Sequence, residues 1–309
     1  MENKDQKKVY SVLFRIAGHL IEVAMPSTKD WRLFIPSFAF FRCLERQKDE
    51  VSLFTVETVN SLGYLNLSSS KLLIESSDII GDCFRLIETE NQYIVDIQFV
   101  KGTEWHRMLC DKKFEKVTVC IQWSDPNAGH VLNAFLMIAF AQSSVLKHTL
   151  LLHASAVENG NHGYAFLGKS GTGKSTHSAL WIEYIEGTKL LNDDNPAVRV
   201  EPDGNVYIYG TPWSGKTPCY RNSKHPLAAL VRLKQDSSNF FLPCTDAKAL
   251  IVLLPGCSSM RWNVSLYTAL CDTLELIIKK VPVGLLSCLP DEEAARLCYN
   301  ETNNINNKV

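Results

Sequence analysis

The chain has 309 residues, 46% of them hydrophobic and 21% charged, with 32 basic side chains against 33 acidic ones. That allows a large core in one or two domains, and the balanced charge provides no global field for nucleic acid or an anionic membrane. The opening Met-Glu-Asn-Lys-Asp-Gln-Lys-Lys leads into no apolar run and does not read as a secretory signal, and the ten scattered cysteines, none in a C-x-x-C pair, read as small buried hydrophobes of a reducing cytoplasm.

Residues 1–126 are expected to form a β-rich domain. The segments 10–23, 51–58, 84–88, 93–100 and 116–123 are rich in β-branched and aromatic residues, alternate roughly, and are separated by Asn, Asp, Gly and Ser turns. His19, His106 and the tryptophans at 31, 105 and 123 read as packing or surface residues. Asp125-Pro126-Asn127 is a turn and a reasonable boundary. A helix is expected at 129–147, and its most apolar segment, 131–146, is too short and too interrupted by Asn133, Gln142, Ser143 and Ser144 to span a bilayer, so it is expected to be buried.

Two strands, 149–157 and 163–167, flank Glu158-Asn159-Gly160-Asn161-His162, a segment with strong hairpin signals. Antiparallel pairing places His153 opposite residues 166–168. Next comes Gly168-Lys169-Ser170-Gly171-Thr172-Gly173-Lys174-Ser175, which fits the phosphate-loop pattern G-x-x-x-x-G-K-[ST]. Its glycines let successive N–H groups curl around phosphate oxygens, Lys174 neutralises them, and the Ser175 hydroxyl suits magnesium. The helix 175–186 begins with Ser175 and Thr176 and closes at Gly187, so its N-terminus faces the same phosphates.

The strand 189–192 then delivers Asp193 and Asp194. If it runs parallel to 164–167, both strands end on one sheet edge, where ligands of open α/β sheets bind. Neighbouring strand residues point to opposite faces, which assigns the two carboxylates different jobs. One would hold magnesium with Ser175, and the other would face the incoming hydroxyl and accept its proton. The alternative is an Asp-Asp-Asn-Pro turn with solvated charges. For His153 the alternative is a structurally satisfied strand histidine.

The phosphate-loop pattern occurs again at 210–217, Gly-Thr-Pro-Trp-Ser-Gly-Lys-Thr. Here a strand, 206–209, precedes it but no helical pattern follows, and Pro212, Pro218 and Pro226 punctuate the region. It reads as an irregular acceptor loop contributing Trp213, Lys216 and Arg221, or as a surface turn with a stacked Trp213. Beyond it are expected a strand at 227–233, a mixed segment 247–254, a helix at 267–279, a strand at 283–288 and a short helix at 291–298. The Asn-rich tail 300–309 is expected to fray.

In this order, Leu152-His153-Ala154-Ser155-Ala156, Phe166-Leu167-Gly168 through Ser175, and Leu190-Leu191-Asn192-Asp193-Asp194 resemble the superfamily of HPr kinase/phosphorylase and ATP-dependent phosphoenolpyruvate carboxykinase. HPr kinase-related kinases of bacteria also carry a stretch similar to Tyr209 through Lys216. The resemblance covers residues 130 to 290. It implies an α/β (α+β) fold with a carboxykinase-like core and a mixed sheet over 127–299. It also implies His153 near the transferred phosphate or metal, Lys174 and Ser175 on phosphate and magnesium, and Asp193 as base.

The implied activity is ATP- and Mg2+-dependent transfer of the γ-phosphate to a hydroxyl, a Ser or Thr of a peptide or protein or a small metabolite. A nucleotide-binding scaffold with decayed chemistry is the alternative. Two departures bear on the acceptor. Where HPr kinases carry Glu-Ile-Arg-Gly this chain reads Tyr207-Ile208-Tyr209-Gly210, which bears on HPr as substrate and on the reverse phosphorylase reaction. The Gly-Asp-Asp-Glu-His-Gly-Trp of carboxykinases is absent and the chain is much shorter, which argues against oxaloacetate chemistry.

Overall fold

The computed structural model describes residues 9–306 except 64, 66 and 78. The protein is mixed α/β, with two compact units, Met1–Ser143 and Ser144–Val309, each built on a mixed sheet.

In the first unit the described strands are β1 (Val9–Ile16), β2 (His19–Pro26), β3 (Arg42–Cys43), β4 (Phe54–Val59), β5 (Lys71–Ser76), β6 (Cys83–Glu88), β7 (Gln92–Gln98), β8 (His106–Asp111) and β9 (Lys116–Cys120). They lie in the order β3-β1-β2-β4-β9-β8-β7-β6-β5, with β4 parallel to both β2 and β9. The run 10–23 is two strands. Ala17 and Gly18 both take positive φ, so the chain reverses there and β1 pairs with β2. A short helix α1 (Trp31–Phe34) follows β2.

Helix α2 (Ala128–Val145) packs on the first unit. Phe99 stacks on His130 with ring centres 5.1 Å apart, and a Cβ on Gly129 would sit 2.5 Å from the Phe34 carbonyl oxygen. This close approach explains why the division between units falls at 143/144 rather than at the 125–127 turn. By length and composition α2 could cross a membrane, yet 72% of it is buried in the protein, as in a core helix.

The second unit contains β10 (Thr149–Leu151), β11 (Ala154–Asn159), β12 (His162–Leu167), α3 (Lys174–Tyr184), β13 (Lys189–Asn192), β14 (Ala197–Val200), β15 (Val206–Tyr209), β16 (Lys224–Gln235), β17 (Phe240–Cys244), α4 (Asp246–Leu253), α5 (Val264–Ile278), β18 (Val283–Cys288) and α6 (Glu292–Asn306). The order is β10-β14-β15-β16-β12-β11-β13, with β18 added to β16 and β17 to β18. One long strand links the two parts. Lys224–Pro226 of β16 pair antiparallel with β15, and its remainder runs parallel to β12 and β18.

The β11–β12 hairpin closes on Gly160 and Asn161, both at positive φ, with Ala154 opposite Leu167. β13 is antiparallel to β11 and therefore runs in the direction of β12, with β11 between them. α3 and α6 cover one sheet face, burying Trp181 among Tyr164, Phe166, Val231, Leu286 and Cys298. The tail does not fray at Asn300: α6 runs to Asn306 because Ile305 packs on that core and Thr302 bonds back to the Cys298 carbonyl. Among the described residues all ten cysteines are free thiols.

Candidate functional site

The loop after β12 has the strand–loop–helix setting that a phosphate loop requires. Gly171 and Gly173 take φ of +78° and +100°, which a side chain resists, and neither is crowded. Gly173 caps α3 and, being glycine, has no side chain to occupy the N–H groups of the first turn. Lys169, Ser170, Gly171, Ser175 and Thr176 are exposed, while Lys174 is buried. Gly168 packs against Thr172, whose backbone N–H and hydroxyl both donate to the Lys169 carbonyl and tighten the loop.

Lys174 Nζ reaches His153 Nε2 at 2.8 Å and the carbonyls of Gly168 and Lys169 at 3.2 and 3.4 Å. His153 sits where the expected continuous strand breaks between β10 and β11. Its backbone N–H donates to the Gly256 carbonyl rather than to a strand neighbour. Its Nδ1 lies 3.3 Å from Asp194 Oδ1. An ammonium only donates, so Nε2 is the acceptor and the ring proton is on Nδ1, directed at Asp194. Burial, then the Lys174 charge, hold the His153 pKa below its ordinary value against the pull of Asp194. Burial likewise lowers that of Lys174, opposed by Asp194 and Asp193.

The two carboxylates lie just past the end of β13, and their different surroundings come from a turn rather than from strand alternation. Asp193 is 4% exposed; its Oδ1 accepts from the Ser155 hydroxyl at 3.2 Å and its Oδ2 from the Thr217 N–H at 3.0 Å. Ser155 also shares a 2.6 Å hydrogen bond with Ser178 on α3. Asp194 is more open and accepts from Asn195 Nδ2 at 2.6 Å. The pair does sit in a turn, built by Asn192 Oδ1 accepting from the N–H groups of Asp194 and Asn195. Asp193 is nevertheless shielded from solvent, because Thr217 of the loop 210–217 packs on it, while Asp194 stays partly exposed.

That loop is irregular, with no helix after it, as expected from its prolines. Trp213 is 3% exposed, so the surface-turn alternative with a stacked tryptophan is wrong, and so is Trp213 as an acceptor-facing residue. Its carbonyl and that of Thr211 accept from Asn192 Nδ2, drawing the loop onto the end of β13. Lys216 is exposed at the loop tip, next to the Thr217 that bonds Asp193. The structure takes Arg221 away from the site. Its guanidinium bonds the Leu190 carbonyl at 2.7 Å and Glu158 at 2.8 Å, toward the hairpin end of β11, far along the strand from Ala154 and the phosphate loop.

The glycines explain why a second copy of the string exists. A Cβ at Gly210 would lie 1.9 Å from the Arg221 carbonyl oxygen, and one at Gly215 would lie 3.1 Å from the Asp193 carbonyl oxygen. These positions need glycine for close approach of chains, not for cradling an anion.

Sequence reasoning missed Ser155, Ser178, Asn192 and Thr217. The signals for the serines were present: Ser155 is two residues from His153 in the strand expected at 149–157, and Ser178 is four residues from Lys174 on one helix face. Asn192 and Thr217 come together only through the fold. Among the described residues no group of three or more His, Cys, Asp or Glu could hold a metal by itself. Magnesium typically takes one or two carboxylates, with waters and substrate phosphates completing its shell, and Ser175 and Asp194 are residue types that could supply such donors. No family model matches the chain, and no curated protein matches it.

Proposed function

We propose that the protein is an ATP- and Mg2+-dependent kinase with a carboxykinase-like phosphate-loop core, transferring the γ-phosphate to a hydroxyl of a peptide, protein or small metabolite. The observation that carries this reading is the convergence of Lys174, His153 and Asp194 beside a glycine loop at a helix N-terminus, with Lys174 hydrogen-bonded to His153 Nε2 and His153 Nδ1 3.3 Å from Asp194. A fixed cation, a neutral imidazole and a carboxylate there suit phosphoryl transfer, where catalysis is mainly positioning and charge neutralisation.

In this reading the first-turn N–H groups of α3 and Lys174 hold the β- and γ-phosphates. Ser175 and Asp194 hold magnesium, which supplies charge neutralisation at the phosphate oxygens. His153 keeps Lys174 and Asp194 in register, its Nε2 facing Lys174 and its Nδ1–H facing Asp194. Asp193, fixed by Ser155 and the Thr217 N–H beside the exposed Lys216, takes the proton from the acceptor hydroxyl.

One observation favours a second reading, a nucleotide-binding regulatory or scaffold protein: both oxygens of Asp193 already serve the fold. Incubation with Mg·ATP labelled at the γ-phosphate, alone and with a cell extract, separates the two. A phosphorylated acceptor that disappears with Asp193→Asn, while ATP binding persists, supports the kinase. Stoichiometric ATP binding with no labelled acceptor supports the scaffold, and no ATP binding removes both.

A further inference from the structure

The site described above lies on the β11/β13 side of the phosphate loop. On its other side, toward β16 and β18, the same loop walls a cavity of about 530 Å³, within the roughly 300–1,000 Å³ range of small-molecule sites. Gly171 to Gly173 form one wall, and Thr176, His177 and Leu180 of α3 the next. Leu233, Gln235 and Asp236 at the end of β16 and Cys288 to Pro290 after β18 complete it. Gln235 Nε2 donates to the Gly171 carbonyl at 3.2 Å, fixing that rim to the loop.

His177 gives the cavity a directed polar group. It is 97% buried by accessible surface (3% exposed), and the Trp181 indole N–H, which can only donate, bonds its Nε2 at 3.1 Å. The ring proton is therefore on Nδ1. Among the described residues no oxygen or nitrogen accepts from that N–H, and His177 lines the cavity. That N–H is open to an acceptor in the cavity, water or ligand. Leu180, Leu233, Leu289 and Pro290 offer apolar faces suited to a flat ring. Asp236, kept ionised by Lys234, is an acceptor at the rim for hydroxyl or amino groups.

We propose that this cavity holds the nucleoside of the donor nucleotide, its ring between the leucines and Pro290, one acceptor atom on His177 Nδ1–H and the ribose hydroxyls toward Asp236. The polyphosphate then crosses the loop from the β16/β18 side to Lys174, His153 and the two aspartates. This rests on the kinase reading of the loop and adds where, and by which groups, the nucleoside is recognised.

Binding of Mg·ATP and of Mg·tripolyphosphate, which has the phosphates without the nucleoside, tests both levels. Wild type is expected to bind ATP at least tenfold more tightly than tripolyphosphate. His177→Phe keeps the ring packing on Phe166 and Trp181 but lacks the donor, and is expected to weaken ATP about three- to tenfold, the worth of one hydrogen bond. Leu289→Glu, on a 40% exposed residue, is expected to do the same through the apolar wall. Neither change should alter tripolyphosphate affinity, which also reports that the variants are folded. Equal affinity of the wild type for both ligands, or equal weakening of both ligands in the variants, overturns the nucleoside assignment while leaving the phosphate loop intact. Loss of acceptor binding with ATP unchanged also overturns it. Failure of the wild type to bind either ligand removes the kinase reading itself.

Discussion

Lys174 donates from its ammonium to His153 Nε2 at 2.8 Å, so the charge of the phosphate loop is held by a neutral imidazole that is itself oriented by Asp194. A cation this close disfavours protonation of the ring, and burial adds to that effect. Substituting Lys174→Met removes the charge and the donor together. The His153 ring, followed by NMR, is expected to titrate at higher pH in the variant than in the wild type. An unchanged or lower titration point would mean that the contact does not govern the histidine.

The Asp193 carboxylate links β13, β11 and the loop 210–217 through two different donors. Asp193→Asn can turn its carbonyl oxygen to the Thr217 N–H and offer its amide hydrogens to Ser155, which then donates to Ser178, so stability should change by no more than about 1 kcal/mol. Asp193→Ala has no acceptor for either. Hydrogen exchange at the Thr217 amide is expected to be slow in the wild type, similar in the Asn variant and faster in the Ala variant. Fast exchange in all three proteins would show that the loop is not held by Asp193.

The site was legible in the sequence where local rules determine it. Asn159 to His162 fixes a two-residue hairpin, the hairpin fixes the register, and the register brings His153 to the loop mouth. The difference between Asp193 and Asp194, expected from strand alternation, arises instead from a turn beyond the end of β13. What stayed hidden depends on packing between distant segments. The buried Trp213, the removal of Arg221 toward Glu158 and the Thr217 contact all follow from loop 210–217 folding onto β13, which no local periodicity encodes. The end of α6 was hidden for another reason. Asn300, Asn303 and Asn304 are poor helix formers, and the helix continues through them because Thr302 and Ile305 pack or bond inward and Tyr164 donates to Asn303.

Gly210 tests whether the second string is structural. A Cβ there meets backbone, 1.9 Å from the Arg221 carbonyl oxygen, and backbone cannot swing aside as a side chain would. Gly210→Ala is expected to cost about 3 kcal/mol or more in urea unfolding, at the severe end for a point substitution. Gly171→Ala has open space but a φ of +78°, so it should cost about 1 kcal/mol through backbone strain. Its main effect should be on nucleotide affinity. The reverse ordering of the two stabilities would contradict the close-approach role of Gly210.

His177 makes the stability of the second unit sensitive to acid. Its pKa falls from the ordinary 6.5 to about 4 on folding, through burial beside Phe166 and Trp181. Between those values the unfolded chain binds a proton that the folded chain refuses. Stability from this group is thus complete above about pH 6.5 and declines as pH falls toward 4, by about 3 kcal/mol in all. Phenylalanine at this position has no such proton. Urea unfolding of His177→Phe should therefore show a variant less stable than wild type at pH 7, for want of the Trp181 hydrogen bond, with the deficit shrinking or reversing by pH 4.5. Parallel stability curves across that range would mean that His177 is as easily protonated in the fold as in water, and that its burial carries no electrostatic cost.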